Sequence, residues 1–217
     1  MQMRKRIANL TSNILNPFLV SLVLILLLSF ESTSSVPDAL KWSLISIAFS
    51  ILPVFLVIIY LVRNGRLDGI SIRVRGQRTE IYWLAGACAG AGCFILHYFG
   101  APPILVATFV AGLSAVAIFM CINAWWKISL HTAFIAALIT VLVILYGWLA
   151  AITVVLIPLM SWARIELKHH SLAQVATGAL LAASIVVVVL PFWSGLSPCI
   201  TLGLYGMDFR AMPDEKF

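Results

Sequence analysis

The sequence predicts an all-α fold, a polytopic bundle of about six to seven transmembrane helices, and three observations carry that expectation. Hydrophobic residues fill 62% of the 217 positions and charged residues only 10%. Several stretches run for about 18 residues or more with almost no charge, long enough to cross a hydrocarbon core of roughly 30 Å as a helix. Alternating apolar and polar residues, the mark of a strand, do not recur; within a bilayer each segment must satisfy its own backbone groups, which a helix does. A mean hydropathy of +1.07 does not fit a water-soluble domain.

The expected spans are 14–31, 40–62, 81–99, 103–124, 129–147, 149–163 and 171–192. Arg4, Lys5 and Arg6 precede the first. A basic start, an apolar run over 19–28 and small residues at 32–35 could also read as a cleaved signal peptide, but those small residues follow Glu31 without an A-x-A pattern, so an uncleaved helix is expected. Ser, Thr and Pro break the chain over 32–38, and 63–80 is the long charged linker. Gly100 to Pro103 and Gly147 mark tight connections. The fifth and sixth spans are barely separated, which predicts that one is short, tilted or partly re-entrant. The whole chain, 1–217, reads as one membrane domain with its core at 40–192 and a polar tail at 193–217. Cys88, Cys93, Cys121 and Cys199 form no C-x-x-C and read as free thiols packing like small hydrophobes.

Followed across the bilayer, the N-terminus, the 63–80 linker, the 123–127 turn and the 161–170 connection emerge on one face. Arg4, Lys5, Arg6, Arg63, Arg66, Arg73, Arg75, Arg78, Lys127, Arg164 and Lys168 all gather there. The positive-inside rule makes that face cytoplasmic, and the expected location is the plasma (inner) membrane. The N-terminal cluster votes independently of any role in binding substrate.

Two histidine-bearing segments lie on this face. His170, Gln174 and Gly178 recur every four residues at the start of the last span and share a helix face. Arg164 stands six residues before His170, a poor spacing for one helix face, so a break over 166–169 is needed to bring guanidinium and imidazole together. Lys127, Ser129 and His131 stand at the head of the fifth span, where the first turn offers unpaired N–H groups and a positive dipole end to an oxyanion. Two helix starts, each with a cation and a histidine, can converge on one phosphate. Arg75 and Arg78 close a cluster of arginines suited to bidentate bonding of anionic groups; the rest of that linker reads as topology signals and lipid contacts. His97, near the opposite face, reads as a helix cap or a partner for a carbonyl. Ionisable groups at membrane depth are costly and are usually functional, which singles out His131 and His170.

These segments resemble the type 2 phosphatidic acid phosphatase (lipid phosphate phosphatase) superfamily, whose signature is K-x6-R-P, then P-S-G-H, then S-R-x5-H-x3-D. The third part appears as Ser161-Trp-Ala-Arg164, five residues, His170, three residues and Gln174. The second appears as Ile128-Ser129-Leu130-His131, and the first survives as the arginines ending at Arg78-Thr79. The likeness runs from about Arg66 to Gly178 and rests most on the spacing of the third part.

The resemblance implies that His170 attacks phosphorus to form a phosphohistidine and that His131 protonates the leaving alcohol. It implies that Arg164, Lys127 and Arg78, with Arg75 at hand, bind phosphoryl oxygens and that Ser129 donates a hydrogen bond. Gln174 stands where the family has aspartate: its carbonyl can orient the imidazole but brings no negative charge. Leu130 replaces a glycine, and Ser161 is displaced from the arginine. The expected function is a membrane-embedded phosphatase acting on a lipid phosphate or isoprenyl diphosphate. No metal or cofactor is required, and the expected partners are membrane lipids, as substrate and solvent, rather than nucleic acid. Two other readings remain: a catalytically weak or inactive relative that binds or transports lipid phosphates, and a metal or haem protein ligated by His131 and His170.

Overall fold

Asn16 sets the first boundary in the fold. In the computed structural model, which describes residues 2–66 and 75–195, Asn16 is extended (φ −74°, ψ 154°), accepts from the Leu19 amide at 3.0 Å and is followed by Pro17. A side-chain cap with proline at the first helical position starts a new helix. The chain therefore begins with two helices, α1 (Gln2–Ile14) and α2 (Pro17–Glu31). The expected first span, 14–31, corresponds to α2 alone, and the residues before it form a helix of their own.

The expected span 40–62 is likewise two helices, α3 (Val36–Phe49) and α4 (Ile51–Arg63). Pro53 has no N–H to give to the Phe49 carbonyl and its ring crowds that oxygen, so the helix breaks one turn earlier, at Ser50. Next come α5 (Arg75–Tyr98) and α6 (Pro103–Asn123). Because α5 begins before 81, Arg78 sits on a helix instead of in the linker.

α7 (Leu130–Tyr146) ends at Gly147, whose φ of 64° and ψ of −146° suit only glycine. A 3-10 helix (Gly147–Val155) and α8 (Leu156–Glu166) follow, where the sequence suggested a span at 149–163. Nine residues at about 2.0 Å each give the 3-10 helix about 18 Å of rise. With the eleven of α8 adding about 16 Å, the return leg is long enough to reach the level at which α7 began. Ile135 and Ile139 of α7 share a buried cluster with Met160 of α8. The last helix among the described residues is α9 (Leu172–Ser194), closed by Gly195 in the left-handed conformation.

Six stretches are long and apolar enough to cross a membrane, and among the described residues there is no strand. The protein is an integral, multi-pass, all-α membrane bundle. Its centre is α9, packed against α6 and α7. Leu28, Trp42, Leu96, Leu105, Ile144 and Leu190 fill one end of the core; Tyr82, Phe119, Ile128 and Ala133 lie in a second cluster. Lipid is as apolar as leucine, so close packing and interhelical hydrogen bonds hold such helices together.

At Gly178 the backbones of α7 and α9 come close together. A methyl group there would stand 2.7 Å from the Ser129 carbonyl oxygen and 3.0 Å from Ile128 Cγ2. Around it, Thr132 Oγ1 donates to the Val175 carbonyl at 3.1 Å, and the Ser129 amide donates to the Gln174 carbonyl at 3.3 Å. Gly178→Ala should push α9 off α7 and lower stability by about 1–3 kcal/mol. Gly112→Ala on α6, where a methyl meets nothing within 4 Å, should be neutral or stabilise by roughly 0.5–1 kcal/mol. Unfolding midpoints of the two variants in detergent check the contrast.

Candidate active site

The chain reversal between α8 and α9 builds the first half of the site. Lys168 takes a left-handed conformation (φ 56°), which costs an L-residue about 1–2 kcal/mol. In exchange the α8 carbonyls are satisfied: Lys168 N donates to Ile165 O at 2.8 Å and His169 N to Arg164 O at 3.0 Å. This turn is the break that Arg164 and His170 need in order to share one neighbourhood.

His170 then stands just before the cap of α9. Ser171 Oγ accepts from the Gln174 amide at 3.4 Å, while Gln174 Oε1 accepts from the Ser171 amide at 3.2 Å, closing a capping box. The same Oε1 lies 3.1 Å from His170 Nδ1. The Ser171 N–H identifies that atom as the carbonyl oxygen, which only accepts, so Nδ1 carries the proton and Nε2 keeps its lone pair.

The second half comes from the start of α7. Ser129 is its cap residue, fully buried, and among the described residues its hydroxyl has no hydrogen-bond partner. His131 lies in the first turn. Arg78, 7% exposed, donates through Nη1 to the Ile128 carbonyl at 3.2 Å. Arg164, 3% exposed, donates through Nη1 to Ser12 Oγ at 2.8 Å. Guanidinium groups this deeply buried require such acceptors, because taking the charge out of water is expensive.

The two halves meet. Arg164, His170, His169 and Arg78 lie within electrostatic range of His131, and Arg164, Lys127 and Arg78 within range of His170. Burial first, then the positive charges of Arg164, Lys127 and Arg78, hold His170 down to a pKa of about 3, against a smaller opposing effect of its bond to Gln174. The resting ring is therefore neutral over the working pH range.

His170, His131, Gln174, Arg164, Lys127, Ser129 and Arg78 are thus assembled at one end of the bundle. Arg75 opens α5, but its side chain, like Arg73 and Cys199, lies outside the described residues. His97 is nineteen residues beyond Arg78 on α5, about 28 Å along the helix, at the other end. Cys88, Cys93 and Cys121 are free thiols. Among the described residues no three His, Cys, Asp or Glu side chains group as metal ligands.

Sequence reasoning missed Ser12 and the bond from Asn123 Nδ2 to Thr79 Oγ1 (3.4 Å) that joins α6 to the start of α5. Ser12 could have been found by projecting residues 2–14 as a helix, which places it with Ala8 on the side opposite Met3, Ile7, Leu10 and Ile14. No protein-family model, curated protein or solved structure matches the chain.

The depressed pKa has a sign that can be measured. Above the unfolded value of 6.5 both states of His170 are neutral. Below it the unfolded ring takes up a proton that the folded ring refuses until about 3, so its contribution to stability falls as pH drops through that window. Acidification should lower the melting temperature of the wild type more than that of His170→Gln. Histidine NMR should show one ring fixed as the Nδ1–H tautomer and unprotonated well below 6.5; ordinary titration of all four rings would contradict this.

Proposed function

We propose that the protein is a membrane-embedded, metal-independent phosphatase acting on a lipid phosphate or isoprenyl diphosphate. The observation that carries the reading is the His170–Gln174 pair, which leaves an unprotonated Nε2 among Arg164, Lys127 and Arg78. A neutral imidazole surrounded by cations is a nucleophile placed where an anion is drawn in. The motif spacing described above supports the same chemistry.

In the proposed reaction Arg164, Lys127 and Arg78 bind the phosphoryl oxygens, and the Ser129 hydroxyl, without another partner among the described residues, donates to one of them. His170 Nε2 forms a bond to phosphorus as the bond to the lipid oxygen breaks. His131, protonated in the complex with the anion, gives its proton to that oxygen. Water then attacks the phosphohistidine, His131 takes the water proton, the P–N bond breaks and inorganic phosphate leaves. Gln174 holds the ring throughout.

The depth of the site favours a lipid. Trp125 and Trp126, exposed beside Lys127, match the aromatic belt at a membrane interface. The basic residues on that side favour a cytoplasmic site in the inner membrane. A second reading, a relative that binds or transports lipid phosphates with little turnover, draws its support from Gln174, which offers no charge to a phosphorylated ring.

Purified protein should release phosphate from phosphatidate or a polyprenyl diphosphate without added divalent metal. His170→Ala should abolish release, and His131→Ala should lower kcat by about 10²–10⁴. Undiminished release by His170→Ala would remove the nucleophile, and a large gain on Gln174→Asp from a negligible baseline would favour the second reading.

Vanadate, which mimics pentacoordinate phosphorus, tests Arg164 separately. Losing the bond that Arg164 donates to Ser12 should weaken vanadate inhibition by about tenfold in Ser12→Ala, the scale of one hydrogen bond to a charged group. Ser12→Thr, which keeps the hydroxyl, should retain it.

A further inference from the structure

α1 turns the small residues Ala8 and Ser12 towards the protein and an apolar stripe away. Successive residues rotate by about 100°, so the buried pair Ala8 and Ser12 lies on one face. Met3, Ile7, Leu10 and Ile14, 49–74% exposed, form a stripe on the opposite face. A helix on a water-soluble protein does the reverse. The inner face is fastened to the end of α8 twice, by Arg4 on Glu166 at 3.1 Å and by Ser12 on Arg164 at 2.8 Å. Lys5, Arg6, Asn9 and Asn13 are exposed.

Two locations in the bilayer compete for such a helix. If α1 prolonged α2 through the hydrocarbon, Lys5, Arg6, Asn9 and Asn13 would lose hydration at a cost of several kcal/mol. The extended backbone at Asn16 also interrupts any straight continuation, and α1 packs on α8. Lying along the surface avoids that cost, sinks the apolar stripe and leaves the polar flank in water.

We propose that α1 is an interfacial helix seated on the leaflet that carries the candidate site, with Met3, Ile7, Leu10 and Ile14 in the headgroup–acyl boundary and Lys5 and Arg6 on anionic lipid headgroups. Charge complementarity selects anionic lipid, and the immediate run into α2 keeps the helix at the membrane. Where the phosphatase reading also holds, the Ser12–Arg164 bond makes the position of a phosphate-binding guanidinium depend on the charge of the surrounding leaflet. The seating itself does not depend on that reading.

The test uses the full chain in nanodiscs of phosphatidylcholine with or without phosphatidylglycerol. Cys88, Cys93, Cys121 and Cys199 are replaced by alanine, and an environment-sensitive fluorophore is attached in turn to Met3→Cys, Ile7→Cys, Leu10→Cys and Ile14→Cys. Lipids brominated at different chain depths quench it. A surface helix gives all four positions one shallow depth. Removing phosphatidylglycerol, or combining Lys5→Gln with Arg6→Gln, should weaken seating about thirtyfold, about fivefold for each basic residue. Depth that grows by about 1.5 Å per residue from 3 to 14 would overturn the proposal in favour of a transmembrane continuation. Labels shielded from every lipid quencher would show protein, such as a second copy, covering the stripe. Seating insensitive to phosphatidylglycerol would remove the anionic partner. Each result is read equally well in a His170→Ala background, so it stands apart from any failure to release phosphate.

Discussion

The missing side chain at Gly178 is the constraint on which the site depends. It lets the first turns of α9 approach the Ser129 carbonyl so closely that Thr132 and the Ser129 amide bond directly to the backbone of α9. The starts of α7 and α9 are thereby held side by side. Each presents first-turn N–H groups and a positive dipole end, and each carries a histidine at or beside that end. A wider helix spacing would leave two unrelated helix starts and no common place for an anion.

Around that junction the fold spends polar bonds on orientation. Arg78 is tied to the Ile128 carbonyl and Arg164 to Ser12, so each guanidinium has part of its donor set fixed by the protein. A guanidinium has five donors, and such fixing leaves others in a defined direction. In a medium that screens poorly, charges arranged in advance act more strongly on a ligand than they would in water. The same charges, together with burial, keep His170 unprotonated. In the proposed reaction, attraction of the anion and readiness of the nucleophile would thus have one cause.

Much of this was legible in the sequence because it rests on spacing. Gln174 and Gly178 do share a face of α9, while His170 lies just before the helix and is joined to that face by its bond to Gln174, and the polar residues before His170 do form the turn that brings Arg164 back. Helix breaks were less legible. Pro53 acts one turn upstream, at Ser50, inside a run of uninterrupted hydrophobicity, and composition alone does not reveal it. α1 was hidden for a different reason. A hydropathy scan reads basic and amide residues as an end to membrane structure, whereas this helix is stabilised by its fit to α8. The bond from Arg164 to Ser12 joins positions 152 residues apart, and no local pattern encodes such a pairing.

Gln174 bears on how the proposed chemistry is tuned. A carboxylate at this position could accept the same two hydrogen bonds, from Ser171 N–H and His170 Nδ1–H, and its charge would suit the first turn of α9 better. Neither helix stability nor ring orientation therefore calls for glutamine. What glutamine changes is net charge: the site keeps one more unit of positive potential than a carboxylate would leave. That strengthens the hold on a bound phosphate and lowers the basicity of Nε2, while depriving a phosphorylated ring of a counter-charge. In the proposed reaction all three effects act in the same direction, towards tight binding and slow turnover.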